Sequence, residues 1–221
     1  EIIASRLCDR SLRPLFPDQF RGETQVLSTV LSADGDSDLP VLAMNSAAAA
    51  LHLSEIPWEG PLAAVRVGRI GGKLVALAGP KQMLQSDMDM VLSVSREGIV
   101  MLEGGAKEVP EADVVAALDF ARAQLQPVLA LMEAMRKAVG KPKIALAPAA
   151  AEPTYLAALV AKARPALDKA LRTPEKHARR TAVQAAKQAA LAELPTETEA
   201  KDAPAALNRL EERMVREAVA K

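Results

Sequence analysis

The distribution of strand patterns along the chain is the feature that most restricts its fold. Apolar runs typical of strands occur only before the long helical stretch that starts at Pro110, and from about residue 145 every pattern is helical. Between these regions lies the Pro/Ala-rich segment KPKIALAPAAAEPT, whose composition is typical of a linker. The sequence therefore predicts a mixed α/β domain of the α+β kind over residues 1–145, followed by an all-α helical domain over residues 146–221.

Local signals predict the elements of the first domain. A helix runs from the first residues to Pro14, and TQVLSTVLSA has the apolar density of a buried strand. An acidic turn, DGDSD, precedes a second helix, VLAMNSAAAALHLS. Gly71-Gly72 joins AAVRVGRI to KLVAL in a hairpin, and MDMVLSVSREG with IVMLEGG forms another. The two hairpins predict a small antiparallel meander.

Helical patterns fill the rest of the chain. The long helix ends at Gly140, and Pro127 inside it is expected to kink or split it. Three further helices follow: YLAALVAKARPALDKAL, then EKHARRTAVQAAKQAALAEL with Thr173 as its cap, and a last one from about Pro204. Both ends of the chain read as helix, without an initiating Met or a terminating Gly or Pro, so we expect a piece of a longer protein.

The first helix carries three arginines, Arg6, Arg10 and Arg13, within about 60° of one face. Beside them lies a predicted apolar face of Ile3, Ala4, Leu7, Cys8, Leu12 and Leu15. The whole chain has 28 basic and 28 acidic residues, so these three arginines, called the stripe below, are a local concentration of positive charge. Asp9 lies too far round the helix to neutralise all three cations. Either carboxylates elsewhere in the fold pair with them, or they bind a row of anions such as an RNA backbone.

Residues that commonly carry nucleophilic chemistry are sparse. Cys8 is the only cysteine, which excludes an internal disulfide and favours a small apolar role in a reducing compartment. His52 and His177 are not near a plausible Ser or Cys nucleophile, so each is interpreted as an ordinary surface or core-edge histidine. Aromatic residues are too few for base stacking, so any nucleic acid would be bound through its phosphates.

The acidic turn resembles a calcium loop only in part. Asp34, Asp36 and Asp38 alternate as in an EF-hand, but Leu39 and Asn45 stand where that loop needs Gly and Glu. The turn is better interpreted as a cap for the next helix. No phosphate-binding glycine motif occurs, and no apolar run reaches the length of about 20 residues that spans a bilayer. The sequence predicts no catalytic residue, no metal ligand, no membrane contact and a cytoplasmic location.

Two stretches carry a family resemblance. SRLCDRSLRPLFPDQF and QVLSTVLSADGDSDLPVLAMNSAAAALHLSEIPWEGPLAAVRVGRI resemble, in residues and spacing, the first ribonuclease-PH-type core domain of the polynucleotide phosphorylase family. The resemblance covers residues 1 to about 140. The Ala-rich helices from about 150 to 221 are similar to the all-α linker domain of that family and follow the core domain as the family pattern requires.

The resemblance implies a phosphate-dependent exoribonuclease that degrades single-stranded RNA from its 3′ end and releases nucleoside diphosphates. It implies a homotrimeric ring with inorganic phosphate as co-substrate and Mg²⁺ as cofactor, and RNA-degradation machinery as further partners. In the family, the first core domain is a structural and RNA-guiding part, whereas the phosphate and metal sites belong to the second core domain. By this likeness Arg6, Arg10 and Arg13 are expected to face the RNA channel.

One departure from the family agrees with a non-catalytic role. Active ribonuclease-PH domains carry a Gly-Thr-Arg type phosphate-binding element at the start of the helix, whereas this chain has Ser37-Asp38-Leu39 there. A carboxylate at that place would repel phosphate. The alternative to a piece of such an enzyme is a free-standing, non-catalytic RNA-binding or assembly module of the same fold.

Overall fold

The computed structural model describes residues 2–147, 154–192 and 202–220. Its contacts divide into two compact units, residues 1–148 and 149–221. The predicted domain limits of 1–145 and 146–221 stay a prediction, because part of the expected linker, residues 148–153, lies outside the described residues.

The first unit combines helices with one antiparallel sheet, which agrees with the predicted α/β class. Its elements, in chain order, are α1 (Ile2–Leu12) with a 3₁₀ turn (Arg13–Leu15), α2 (Leu39–Leu53), β1 (Leu62–Ile70), β2 (Lys73–Ala76), α3 (Pro80–Met83), β3 (Met88–Ser95), β4 (Ile99–Ala106) and α4 (Glu111–Val139).

The sheet has the strand order β2-β1-β3-β4. Both predicted hairpins are present, and Gly71 and Gly72 take the positive φ angles of 57° and 76° that their turn requires. The predicted meander is wrong, however, because β1 pairs with β3 and leaves β2 at the edge. Strands β1 and β3, most of whose residues are buried, take the centre, whereas none of the four residues of β2 is fully buried.

The sheet is covered on both faces, which explains why β3 has apolar residues on both of its alternating faces. On one face Met90 and Leu92 pack with Ala121, Leu125 and other α4 residues. On the other face Val91 packs with Leu7 of α1 and Met44 of α2.

Helix α4 is continuous through Pro127, so the predicted split does not occur. Pro127 has no N–H to donate to the Ala123 carbonyl, and the neighbouring Gln126 donates from its side-chain Nε2 to the Arg122 carbonyl oxygen at 3.0 Å. Among the described helices α4 alone is long and apolar enough to cross a membrane by length and hydropathy. A core helix meets the same test, and α4 buries Ala117, Ala121 and Leu129 against the sheet.

The predicted strand TQVLSTVLSA is wrong for this structure. Residues 21–34 have no regular secondary structure, and residues 21–33 form no backbone-to-backbone hydrogen bond with other described residues. Leu27 and Leu31 are 81% and 93% exposed. A strand exists only where a neighbour pairs with it, and the described sheet runs elsewhere. The segment instead lines an open groove of about 720 Å³ along α2.

The described residues of the second unit form helices, as predicted: α5 (Thr154–Leu171), α6 (Lys176–Ala192) and α7 (Ala203–Val219). Leu159, Leu167, Leu207 and Leu210 belong to its apolar core. Lys187 of α6 is nearly buried and bonds Glu211 and Asn208 of α7. Thr173 is not the cap of α6. Glu175 takes that role, because its carboxylate accepts from the backbone N–H groups of His177 and Ala178.

Candidate nucleic-acid interface

Helix α1 is held on the first unit by its apolar face and by contacts at its C-terminal end. Leu7 and Leu12 are buried, whereas Ile3, which the sequence placed on the same face, is 69% exposed. Trp58 Nε1 donates to the Leu12 carbonyl oxygen at 2.9 Å, and the backbone N–H of Glu59 donates to the Leu15 carbonyl at 2.8 Å. These bonds satisfy carbonyls that a helix end leaves open, and they fix the helix direction.

All three arginines of the stripe are exposed, but they differ in their partners. Arg10 forms an ion pair with Glu103 of β4, and Arg13 forms one with Asp9, one helical turn earlier. Arg6 has neither a hydrogen bond nor an ion pair with any other described residue. The structure thus agrees with ion pairing within the fold for Arg10 and Arg13, and it leaves Arg6 free to bind an anion.

The paired arginines keep donors for a further anion. The side chains of Arg10 and Glu103 are each 41% exposed, and that of Arg13 is 75% exposed. Exposed ion pairs of this kind contribute about 0–1 kcal/mol, so a phosphate can compete for the guanidinium. A guanidinium also has five N–H donors, and neither pair uses all of them. The stripe can thus contact successive phosphates while its pairs persist or exchange.

The start of α2 is closed to anions. Asp38 is its N-cap, and its carboxylate accepts from the Val41 N–H at 3.2 Å and from Arg66 Nε of β1. Pro40 has no N–H to offer, so the first turn keeps few free donors. Arg66 also donates to Asp89 at 2.6 Å. A helix start that would bind phosphate elsewhere is here occupied by a carboxylate, which confirms the predicted acidic cap.

The other acidic residues of the turn also serve the chain itself. Asp34 Oδ1 accepts from the backbone N–H groups of Asp36 and Ser37 at 3.0 and 2.9 Å. These bonds lower the pKa of Asp34. Among the described residues no group of three or more His, Cys, Asp or Glu side chains is arranged to hold a metal ion.

The remaining candidate side chains are unsuited to nucleophilic chemistry. Cys8 is half-buried, and burial raises the pKa of its thiol, so the reactive thiolate is disfavoured. His177 is exposed, in agreement with the sequence. His52 is buried more deeply than a core-edge histidine, at 2% exposure, and burial lowers its pKa to about 4.

Two arginines of β1 were not singled out from the sequence. Arg66 pairs with Asp38 and Asp89, and Arg69 pairs with Asp87 and Asp113. The Arg69 guanidinium lowers the pKa of Asp87. The partners are distant in sequence, so no local pattern signalled these pairs or the pairing of Arg10 with Glu103. Both β1 arginines connect β1 to other parts of the first unit through paired ion bridges, whereas each arginine of the stripe has one carboxylate partner or none.

Comparison with known proteins gives a consistent assignment. The profile of the 3′ exoribonuclease family, domain 1, matches residues 1–57, and that of domain 2 matches residues 60–124. A polyribonucleotide nucleotidyltransferase of Sorangium cellulosum is 52% identical over 143 residues, which are 65% of this chain and 19% of that protein. One from Nitratidesulfovibrio vulgaris (strain DP4) is 39% identical over 226 residues, covering 99% of this chain and 30% of that protein. The chain therefore spans less than a third of the length of these curated relatives.

Proposed function

Because the chain belongs to the 3′ exoribonuclease family, we propose that it is part of a polynucleotide phosphorylase. The whole protein would use inorganic phosphate to attack the terminal phosphodiester of single-stranded RNA and release nucleoside diphosphates from the 3′ end. This chain would contribute a wall of the RNA channel and the scaffold of a homotrimer. The relatives named polyribonucleotide nucleotidyltransferase support the assignment.

The start of α2 is the observation that carries a non-catalytic role. Asp38 and Arg66 neutralise each other where a phosphate would otherwise bind, and Pro40 removes a donor. The described residues also lack a cluster suited to Mg²⁺. We propose that phosphate and metal bind in other parts of the longer protein. The whole protein would act in the cytoplasm and can join RNA-degradation machinery.

The stripe on α1 is the proposed RNA contact. Arg6, Arg10 and Arg13 present exposed guanidinium groups from a helix whose far side is anchored in the core. Phosphates repeat along a single strand, so a row of arginines binds any sequence alike. The free Arg6 and the weakly paired Arg13 are the two residues expected to contribute most.

The test replaces Arg6 and Arg13 together by Ala in the full-length protein. Arg10 is left in place, because its removal would leave Glu103 without its ion-pair partner. We expect weaker binding of every single-stranded sequence and a salt slope of log affinity lower by about 0.7 for each lost phosphate contact. The measurement is RNA affinity by fluorescence anisotropy over a series of salt concentrations.

Arg216→Ala is the matched control. Arg216 of α7 is as exposed as Arg13 and also pairs with a carboxylate one turn earlier, Glu212. This variant should leave affinity and salt slope unchanged. If the double variant keeps the slope of the wild type but melts early or loses its oligomeric state, the arginines are structural and the RNA contact on α1 is refuted.

A further inference from the structure

His52 is a buried histidine without a hydrogen-bond partner. It lies near the C-terminal end of α2, and neither Nδ1 nor Nε2 has a partner among the described residues. Its ring meets the Trp58 ring edge-on, with centroids 6.5 Å apart and an interplanar angle of 77°. A buried N–H without an acceptor costs about 1–3 kcal/mol, so the neutral His52 ring gains no hydrogen-bond energy in this position and destabilises the fold slightly.

The chain that leaves α4 returns to the same end of α2. Lys143 Nζ donates to the carbonyl oxygens of Leu51 and Ser54 at 2.8 and 2.9 Å. The backbone N–H of Lys141 donates to the Leu53 carbonyl and that of Ile144 to the Glu55 carbonyl, both at 2.8 Å. Residues 141–144, called the docked segment below, therefore donate to carbonyls in the last turn of α2 and in the two residues after it, and they fix the path of the chain after α4.

The charges around His52 favour its neutral form. Arg136 of α4 and Lys143 of the docked segment are positive and lower its pKa, and Glu133 of α4 raises it. Glu133 is already held by Arg96, with bonds of 2.9 and 2.7 Å. Burial lowers the pKa of Lys143 as well, to about 8, so this ammonium is sensitive to any added positive charge.

We propose that His52 is an acid-sensitive trigger that releases the docked segment from α2. A proton taken from solvent turns the ring into a cation with two buried N–H donors beside Arg136 and Lys143. The open carbonyls at the end of α2 are acceptors in the same region, and Lys143 holds two of them. The repulsion is relieved when Lys143 moves into water and the imidazolium takes over the helix end, where a cation is favourable.

The sign of the pH dependence follows from the lowered pKa. The ordinary pKa of 6.5 applies to the released state, and about 4 applies to the docked state. Docking is therefore fully stable above pH 6.5 and loses stability progressively as the pH falls toward 4. The docked segment should open in this range while the sheet core stays closed.

The experiment is amide hydrogen exchange of the 221-residue chain between pH 7 and about pH 5, corrected for the intrinsic exchange rate at each pH. In the wild type we expect the protection of the Lys141 and Ile144 amides to fall by about tenfold or more, with Val65 in the sheet unchanged. In His52→Leu, protection of the two amides should not depend on pH. His177→Asn, at an exposed position, is the control and should behave as the wild type.

Three results would overturn the proposal: unchanged protection in the wild type, the same fall in His52→Leu, or a fall that Val65 shares. If His52→Leu does not fold, an NMR titration of the His52 ring in the wild type decides. The docked ring must titrate well below 6.5, near the pH at which the protection of Lys141 and Ile144 stops falling, and a ring that titrates at about 6.5 rejects His52 as the trigger.

Discussion

Single residues at the ends of helices decide much of the local order in this protein. Asp38, Glu175 and Lys143 each satisfy open backbone groups, and the first two accept from N–H groups while the third donates to carbonyls. The position of Asp38 could be predicted from the sequence, because an acidic residue before an apolar helix is a local signal. The role of Lys143 could not be predicted, because α2, whose carbonyls it binds, lies about 90 residues earlier in the sequence.

Asp38→Ala should destabilise the chain by about 2 kcal/mol, since it removes a cap and leaves Arg66 with one carboxylate fewer. The measurement is urea unfolding followed by circular dichroism. Asp202→Ala is the matched control, because Asp202 is also an N-cap but its side chain makes no cap hydrogen bond. Equal effects of both substitutions would refute the role assigned to Asp38.

Whole elements were predicted well where the signal is local. The two hairpins, the helices of the second unit and the end of α4 at Gly140 follow from turn residues and periodicity. The strand expected at TQVLSTVLSA failed for a physical reason: its apolar residues specify a strand only when a neighbour pairs with it. Likewise, the carboxylate that pairs with Arg10 comes from β4, which no spacing on α1 could reveal.

The exposed apolar segment at residues 24–33 is expected to contribute little to the stability of this chain. Replacing Leu27 and Leu31 by Ala should change the stability of the 221-residue chain by less than about 0.5 kcal/mol, because neither side chain is buried. Leu92→Ala, at 0% exposure in β3, should cost about 3 kcal/mol. Urea unfolding measures both. A cost above about 1 kcal/mol for the double variant would show that the segment is covered in solution.

At the scale of the whole molecule, the buried apolar clusters of the first unit share no residue with the cluster of the second unit among the described residues. Leu129 lies in a core of the first unit and Leu167 in the core of the second, and both side chains are fully buried. The sequence predicted a division from the confinement of strand patterns to the first part of the chain, whereas the sheet order could not be predicted, because pairing between the two hairpins has no local sequence signal.

Leu167→Ala should lower the stability of the helical unit by about 3 kcal/mol through the cavity it leaves. Hydrogen exchange should become faster in α5, α6 and α7, with the amides of β1 and β3 unchanged. Leu129→Ala is the reciprocal variant and should affect the sheet unit alone. Faster exchange in both units after either substitution would mean that the two cores unfold together.

The strand order also has a consequence for the speed of folding. Each hairpin closes over a short turn and can form within about 1–10 μs. The central pairing sets Gly68 against Asp89 at its inner end, so residues 69–88 must close as a loop before any of its hydrogen bonds form. The transition state of the first unit is therefore expected at the docking of two preformed hairpins, with α4 completing the layer afterwards. Residues such as Val65 and Leu92, which face each other across that seam, would then control the folding rate, whereas those of β2 would mainly affect unfolding.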